Sequence, residues 1–354
     1  AFPFAELRYA VKANANGSLL RHLAGLGVGA EALTHGELER ALRAGFRPER
    51  IVLGGPGHTE ALARRAAEAR VSLVSLDSES AWAVWRRVHA PHTRFLVRLN
   101  PGFDPHTHEH LATAAASSKF GEPFPVALAL AREVLAAGRL AGFHVHAGSM
   151  ISDPDVADLV VAALTPLYAE LPGLEVVDLG GGLAVPDAPL ARFAEAYSRF
   201  AAAHGVRVLL EPGRSLVATA GTLLTRVLHV KEGERRHVIA DAGMADLVRP
   251  ALYGARHPIR LVGKASAPAS PALPTDVDGP LCENADRLGR NVDLPAVVPG
   301  DLLAVGHAGA YGFAMASNYA ASLRPAEVVT RGGVARLSRR REQPEDLWRL
   351  EVEG

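Results

Sequence analysis

The chain has 354 residues, 48% of them hydrophobic and 21% charged, which is ample material for a large buried core with a smaller domain beside it. Lysine plus arginine and aspartate plus glutamate balance at 38 each, so no whole-chain field draws it to nucleic acid or to an anionic membrane, and no apolar run is long enough to span a bilayer. A single cysteine, Cys282, excludes an intrachain disulfide and a thiolate metal centre and, with no basic-then-apolar leader, predicts a cytoplasmic protein.

Taken from the N-terminus, the apolar, strand-like run "RYAVKA" (8–13) carries Lys12. It is one of four lysines in an arginine-rich chain. Its amine either snorkels at a strand end or serves as a nucleophile that forms a Schiff base with a carbonyl cofactor. Seven more strand patterns follow: "VGAEAL" (28–33), "RIVLGG" (50–55), "VSLVSLD" (71–77), "RFLVRLN" (94–100), "LAGFHVHA" (140–147), "LEVVDLGGG" (174–182) and "VRVLLEPG" (206–213). Between them, stretches such as "GELERALRAG", "TEALARRAAEA", "PVALALAREVLAAG" and "ARFAEAYSRFAAAHG" repeat apolar residues at three- and four-residue spacing and predict helices. Eight strands alternating with helices predict an α/β fold, a (β/α)8 TIM-like barrel over residues 1–215, with a doubly wound open sheet as the competing arrangement. After residue 215, short Val-, Leu- and Ile-rich segments punctuated by Gly and Pro predict a β-rich second domain, barrel or sandwich, over 216–354. Within it "EVVTRGGVARLS" predicts a hairpin turning at Gly332 and Gly333, "ASAPASPALP" (265–274) an exposed loop, and the basic run "RLSRRR" (336–341) a solvated face.

In such a barrel the chemistry sits at the C-terminal ends of the strands. There the unusual polar residues gather: Lys12, Asp77, Asn100, His146, the triplet Gly180 to Gly182, Glu211 and Arg214. A glycine triplet serves a tight turn, or lets backbone approach a phosphate. Beside a reactive lysine it points to a phosphorylated carbonyl cofactor, pyridoxal 5'-phosphate (PLP) foremost. "FHVHAGS" (143–149) puts His144 and His146 on one strand face, where they could share a metal ion, or one ring could stack on a cofactor while Ser149 donates to its phosphate. No metal is expected there, nor at "HTHEH" (106–110), which reads as a polar loop. In "EPGRS" (211–215), Glu211 either pairs with Arg214 or keeps a pyridine nitrogen protonated, making the ring a strong electron sink.

The ordered motifs "YAVKAN", "SKFG", "HVHAGS", "LGGGL", "EPGRS", "DAGMADLVRPALYGARH", "GPLCENAD" and "GAYGFAMASNY" resemble those of the PLP-dependent decarboxylases built on an alanine-racemase-like barrel. This is the ornithine, diaminopimelate and arginine decarboxylase group, and the likeness is greatest to its diaminopimelate-specific members. The resemblance implies that Lys12 is the Schiff-base lysine and that His146 stacks on the cofactor ring. Ser149, Gly181, Gly182 and Gly213 would hold the phosphate, Glu211 would bind the pyridine nitrogen, and Tyr311 would lie close by. Arg214, Arg249 and Tyr253 would grip the substrate's distal carboxylate. Cys282, as proton donor, and Glu283, on the distal amino group, would reach into the site of a partner subunit, which implies a homodimer with shared sites.

The implied reaction is decarboxylation of meso-2,6-diaminopimelate to L-lysine, the last step of lysine biosynthesis. Relatives acting on ornithine place aspartate where this chain has Glu283. Other basic amino acids or carboxylated polyamines (D- or L-ornithine, carboxynorspermidine) are the alternative substrates. A racemase would put arginine on the pyridine nitrogen, and a non-catalytic binder would need none of Lys12, Glu211 and Cys282. The departures from the family pattern are Met150 for glutamine, Asn284 for serine, His35 for glycine and a missing asparagine in "NYAAS". Relatives also have a leading strand and helix before the lysine, so the first strand of the second domain is expected to be missing from this chain.

Overall fold

Eight parallel strands close into a barrel in sequence order: β1 (Ala5–Ala10), β2 (Gly29–Ala32), β3 (Ile51–Leu53), β4 (Leu73–Leu76), β5 (Arg94–Arg98), β6 (Leu140–His144), β7 (Val176–Asp178) and β8 (Arg207–Leu210). The computed structural model describes residues 2–103, 118–186, 188–263 and 273–352. "HTHEH" and all but the last two residues of "ASAPASPALP" lie outside that set. The chain separates into two compact units, Ala1–Ser215 and Leu216–Gly354.

Helices α1 (Gly17–Gly25), α2 (His35–Ala44), α3 (Glu60–Glu68), α4 (Glu79–Trp85), α5 (Phe124–Ala136), α6 (Val156–Glu170) and α7 (Leu190–His204) alternate with the strands. Asn16, Thr34, Thr59 and Ser78 cap the first four of them, each side-chain oxygen accepting from first-turn N–H groups that have no partner inside the helix. The one-turn helix α8 (Arg214–Val217) follows β8.

Two elements of the first unit depart from the sequence pattern. The first strand runs 5–10 instead of 8–13, because Ala5 and Leu7 pair with Val208 and Leu210 across the closing seam. Lys12 therefore sits beyond the ladder, in a single 3-10 turn over Val11–Ala13. The sequence pattern singled out no helix over α6, whose run "VADLVVAALTPLYAE" is apolar nearly all round and holds an internal Pro166, so it lacks the one-sided periodicity that marks a surface helix.

Strand alternation sorts the barrel interior into layers. Val52, Leu96, Ala141, Val176 and Leu209, with Leu73 beside them, form an apolar floor. Two residues further along, the same inward faces carry Ser75, Arg98, Asp178 and Glu211, all buried. On β6 the alternation is broken: the ladder with β5 slips between Phe95 and Leu96, so that Gly142 faces Leu96 and His144 faces Arg98. Gly142 permits this, since a Cβ there would lie 1.7 Å from the Val176 carbonyl oxygen. The buried Tyr168 hydroxyl of α6 stitches the irregularity, accepting from Phe143 N–H at 3.1 Å and donating to Val176 O at 2.6 Å.

In the second unit a six-stranded sheet has the order β11-β14-β9-β10-β12-β13. Its strands are β9 (Leu223–Glu232), β10 (Arg236–Ala240), β11 (Ile259–Leu261), β12 (Thr275–Asp278), β13 (Arg287–Gly289) and β14 (Leu302–Val305). Val227, Val238, Val277, Leu288, Leu303 and Val305 pack its core, and the short helix α9 (Arg249–Tyr253) follows β10. A separate hairpin joins β15 (Glu327–Arg331) to β16 (Val334–Arg339) through Gly332 and Gly333, both at positive φ. The basic run at its end is tied down by carboxylates: Arg339 to Glu327 at 2.6 Å and Arg340 to Asp346 at 2.5 Å.

Candidate active site

Lys12 Nζ lies 2.8 Å from Glu31 Oε2. Glu31, on β2, is buried, and burial lifts its carboxyl to about 7 even with the Lys12 charge beside it. A glutamate inside the apolar run "VGAEAL" is the same kind of signal that drew attention to Lys12, and it went unused.

Glu211 stands just past β8, its N–H donating to Gly180 O at 2.7 Å. Its carboxylate is divided in function. Oε2 lies 3.6 Å from His144 Nε2, while Oε1 is buried with no hydrogen-bond partner among the described residues. Burial alone would protonate it, but the facing His144 and Lys12 hold its pKa below the ordinary carboxylate range. His144 in turn places Nδ1 2.7 Å from Ser75 Oγ. Burial discourages charge on that imidazole, yet the Glu211 carboxylate wins and raises its pKa. His146 behaves oppositely: burial, aided by Lys12 and Arg98, brings it down to about 3, so its ring is uncharged at neutral pH. Asp178, fully buried at the end of β7, is raised to about 7 by burial and by Glu211. Beside this group, Arg98 donates to Asp77 at 3.1 Å.

The loops around these residues fit tightly. A Cβ on Gly181 would lie 2.3 Å from the Glu211 carbonyl oxygen, and one on Gly182 would lie 2.0 Å from that of Gly148. Glycine is thus required by protein backbone here, and the Gly181 N–H goes to His146 Nδ1 at 3.2 Å. Gly213 backs onto the end of the first strand and the turn after it, where a Cβ would come 3.0 Å from those of Ala10 and Ala13. Arg214 Nη2 donates to Ser149 Oγ at 3.1 Å, which puts a cation and a hydroxyl at one rim. The neighbouring Met150 is exposed with φ at 62°.

The other candidate residues belong to the second unit. Arg249, buried, and Tyr253 stand one turn apart on α9, and Tyr311 holds a left-handed φ of 58°. Cys282 and Glu283 are exposed on the turn between β12 and β13, and Glu283 accepts from the Tyr319 hydroxyl. That turn is organised by a residue the sequence reading passed over. The buried Asp286 carboxylate accepts from Met244 N–H and Leu281 N–H, both at 2.6 Å. Side chains on Gly243 or Gly279 would come within 2.1 or 2.2 Å of its Oδ1.

His144, His146 and Glu211 bring one ligand atom each within 4.8 Å of one another, a donor set that suits a cation as well as a heteroaromatic ring. Comparison with known proteins bears on the cofactor. The model of the pyridoxal-binding domain of pyridoxal-dependent decarboxylases matches residues 1–218. This chain belongs to that family. The decarboxylase is 42% identical over 358 residues to the diaminopimelate decarboxylase of Deinococcus radiodurans, covering 99% of this chain and 90% of that one. It is 38% identical to the diaminopimelate decarboxylase of Zymomonas mobilis, over 97% of this chain and 85% of the relative. The crystal structure of diaminopimelate decarboxylase from Helicobacter pylori complexed with L-lysine superposes with a TM-score of 0.91 at 34% identity, over 98% of this chain and 90% of that one.

The cofactor of the family is PLP, and the barrel residues fit it. An amine stands just past the end of β1, an uncharged imidazole lies beside it, and a buried carboxylate oxygen with no hydrogen-bond partner among the described residues, Glu211 Oε1, is left for a ring N–H.

Proposed function

We propose that this decarboxylase converts meso-2,6-diaminopimelate to L-lysine and carbon dioxide, the last step of lysine biosynthesis. The observation that carries this reading is the near-full-length likeness to diaminopimelate decarboxylases, one of which binds L-lysine. When bound, PLP supplies an electron sink for the pair left behind as the carboxylate departs.

The chain's own residues do the rest. Lys12 holds the cofactor through its amine, and Glu31 Oε2, in contact with Nζ, accepts the proton that the amine must lose to become nucleophilic. His146 would lie against the ring and, being uncharged, would add no cation to compete with the ring for electrons. Glu211 stays ionised and would offer Oε1 to the ring nitrogen. Ser149, Gly181, Gly182 and Gly213 seat the phosphate, with the Arg214 charge adjoining Ser149. Arg214, Arg249 and Tyr253 take the distal carboxylate, and Tyr311 completes the cofactor's surroundings. A dicarboxylic substrate needs such cations, since its far carboxylate would otherwise be buried unpaired.

Cys282 and Glu283, exposed on their turn, serve a neighbouring subunit's site in a homodimer, Cys282 returning a proton and Glu283 holding the distal ammonium. A cytoplasmic biosynthetic enzyme suits the cysteine usage, and among the described residues no helix is long and apolar enough to cross a membrane.

The direct test is carbon dioxide release with added PLP from meso-diaminopimelate, L-lysine, L-ornithine, D-ornithine and L-arginine, side by side. Turnover of diaminopimelate alone is expected. Turnover of an ornithine with none of diaminopimelate would overturn the substrate. Mixing inactive Lys12→Ala and Cys282→Ala chains is expected to restore part of the activity, and no recovery after proven subunit exchange would overturn the shared site.

A further inference from the structure

The proposed mechanism employs Lys12, Glu31, His146 and Glu211 but leaves Ser75 and His144 without a task. Both are buried and face inward, Ser75 from β4 and His144 from β6. A polar pair in a barrel core costs stability unless its hydrogen bonds are met, and the space could have been filled by apolar side chains. The irregularity at Gly142, stitched by Tyr168, is what puts His144 opposite Arg98 on the inner face.

We infer that His144, steadied by Ser75, is a positioning residue that holds Glu211 by one carboxylate oxygen and so presents the other to the cofactor's ring nitrogen. The proposal rests on Glu211 being the ring-nitrogen partner. Three observations carry it. Ser75 Oγ is 2.7 Å from His144 Nδ1, His144 Nε2 makes an ion-pair contact of 3.6 Å, longer than a hydrogen bond, with Glu211 Oε2, and Glu211 Oε1 is buried with no hydrogen-bond partner among the described residues. A glutamate beyond the end of a strand can turn about its side-chain bonds, and a ring fixed at its far nitrogen removes that freedom. Serine suits the far end because its hydroxyl can donate to a neutral ring or accept from a protonated one.

Charge supports the same arrangement. Glu211 lies among two other buried acids, Glu31 and Asp178, each of which it repels. The charged groups facing His144 are Glu211, Asp178 and Arg98. With the imidazole removed, Glu211 would either take up a proton or swing toward Lys12.

The test compares His144→Ala, His144→Gln, Ser75→Ala and Glu211→Gln, with circular dichroism to establish folding. Two quantities are read besides turnover: the PLP dissociation constant, and the pH dependence of the bound cofactor's visible absorption. His144→Ala is expected to weaken PLP binding about tenfold or more, the scale of losing one buried charge contact, and to shift the absorption profile. His144→Gln, which can still donate to Glu211, and Ser75→Ala should lose less. In a Glu211→Gln background, His144→Ala should cost under about threefold, because its object is gone.

If Glu211→Gln alters affinity and absorption while His144→Ala leaves both unchanged, this proposal is overturned and the role of Glu211 survives. If Glu211→Gln itself changes neither, the reading beneath it fails as well. Should His144→Ala not fold, unchanged affinity and absorption in both His144→Gln and Ser75→Ala would overturn the proposal.

Discussion

Tyr168→Phe removes a single oxygen from the barrel and should cost far more than its size suggests. The ring's edge contacts to Phe143 and Phe200, at centroid distances of 5.8 and 5.1 Å, survive the change. The hydroxyl, however, satisfies Phe143 N–H and Val176 O where the β5–β6 ladder slips. Each buried backbone group left without a partner costs about 1–3 kcal/mol, so the loss of two partners should cost about 2–6 kcal/mol, a large fraction of the roughly 5–15 kcal/mol that holds a domain together. Urea unfolding followed by tryptophan fluorescence in a Trp348→Phe background reads the barrel through the buried Trp82 and Trp85. Tyr197→Phe is the control, since that buried tyrosine has no hydroxyl hydrogen bond among the described residues. A loss under about 0.5 kcal/mol, or one equal to the control's, would refute the claim that this hydroxyl secures the irregularity that aims His144.

Three other outcomes are expected. Asp178 and Glu31, raised by burial to about 7 from ordinary values of 3.8 and 4.5, keep protons in the folded apo-protein that the unfolded chain has already released. Stability should therefore fall as pH rises toward 7, by up to ~1.4 kcal/mol per pH unit per group. His144 is raised and acts in the same sense, whereas Glu211, held low, gives stability that is lost only as pH falls below its unfolded range. Asp178→Asn should flatten that slope between pH 5 and 7, and an unchanged slope in urea titrations would contradict the assignment. Asp286→Ala should loosen the turn that presents Cys282 and Glu283, lowering kcat/KM about tenfold or more while PLP affinity stays constant. Unchanged kinetics would show that the turn holds without it. Gly181→Ala forces a Cβ to 2.3 Å from the Glu211 carbonyl and should yield folded protein poor in PLP, measured as cofactor per chain after dialysis. Full occupancy would contradict the close fit of these loops.

Much of the barrel was legible because its signals are local. Period-two strands and one-sided helices each declare themselves within a dozen residues. What escaped depends on pairing at a distance. The first strand is displaced because its early residues are selected by β8, some two hundred positions away. The slip that turns His144 inward comes from Gly142 lying against Val176, and nothing in "LAGFHVHA" shows it. The short strands β12 and β13 are polar and brief, and they become strands only against β10. The residues passed over at the site, Glu31, Ser75, Asp178 and Asp286, are buried polar groups whose roles lie in the partners they meet across the fold. Lys12 stood out because lysine is rare in this chain. Glu31, one of many acids, did not.

The most direct measurement of the central claim is borohydride reduction of the PLP-loaded protein followed by peptide mass mapping. Covalent attachment of the reduced cofactor should appear on the peptide containing Lys12 and be absent from Lys12→Ala. A label on Lys119, Lys231 or Lys264 instead, or none at all with PLP bound, would contradict the account.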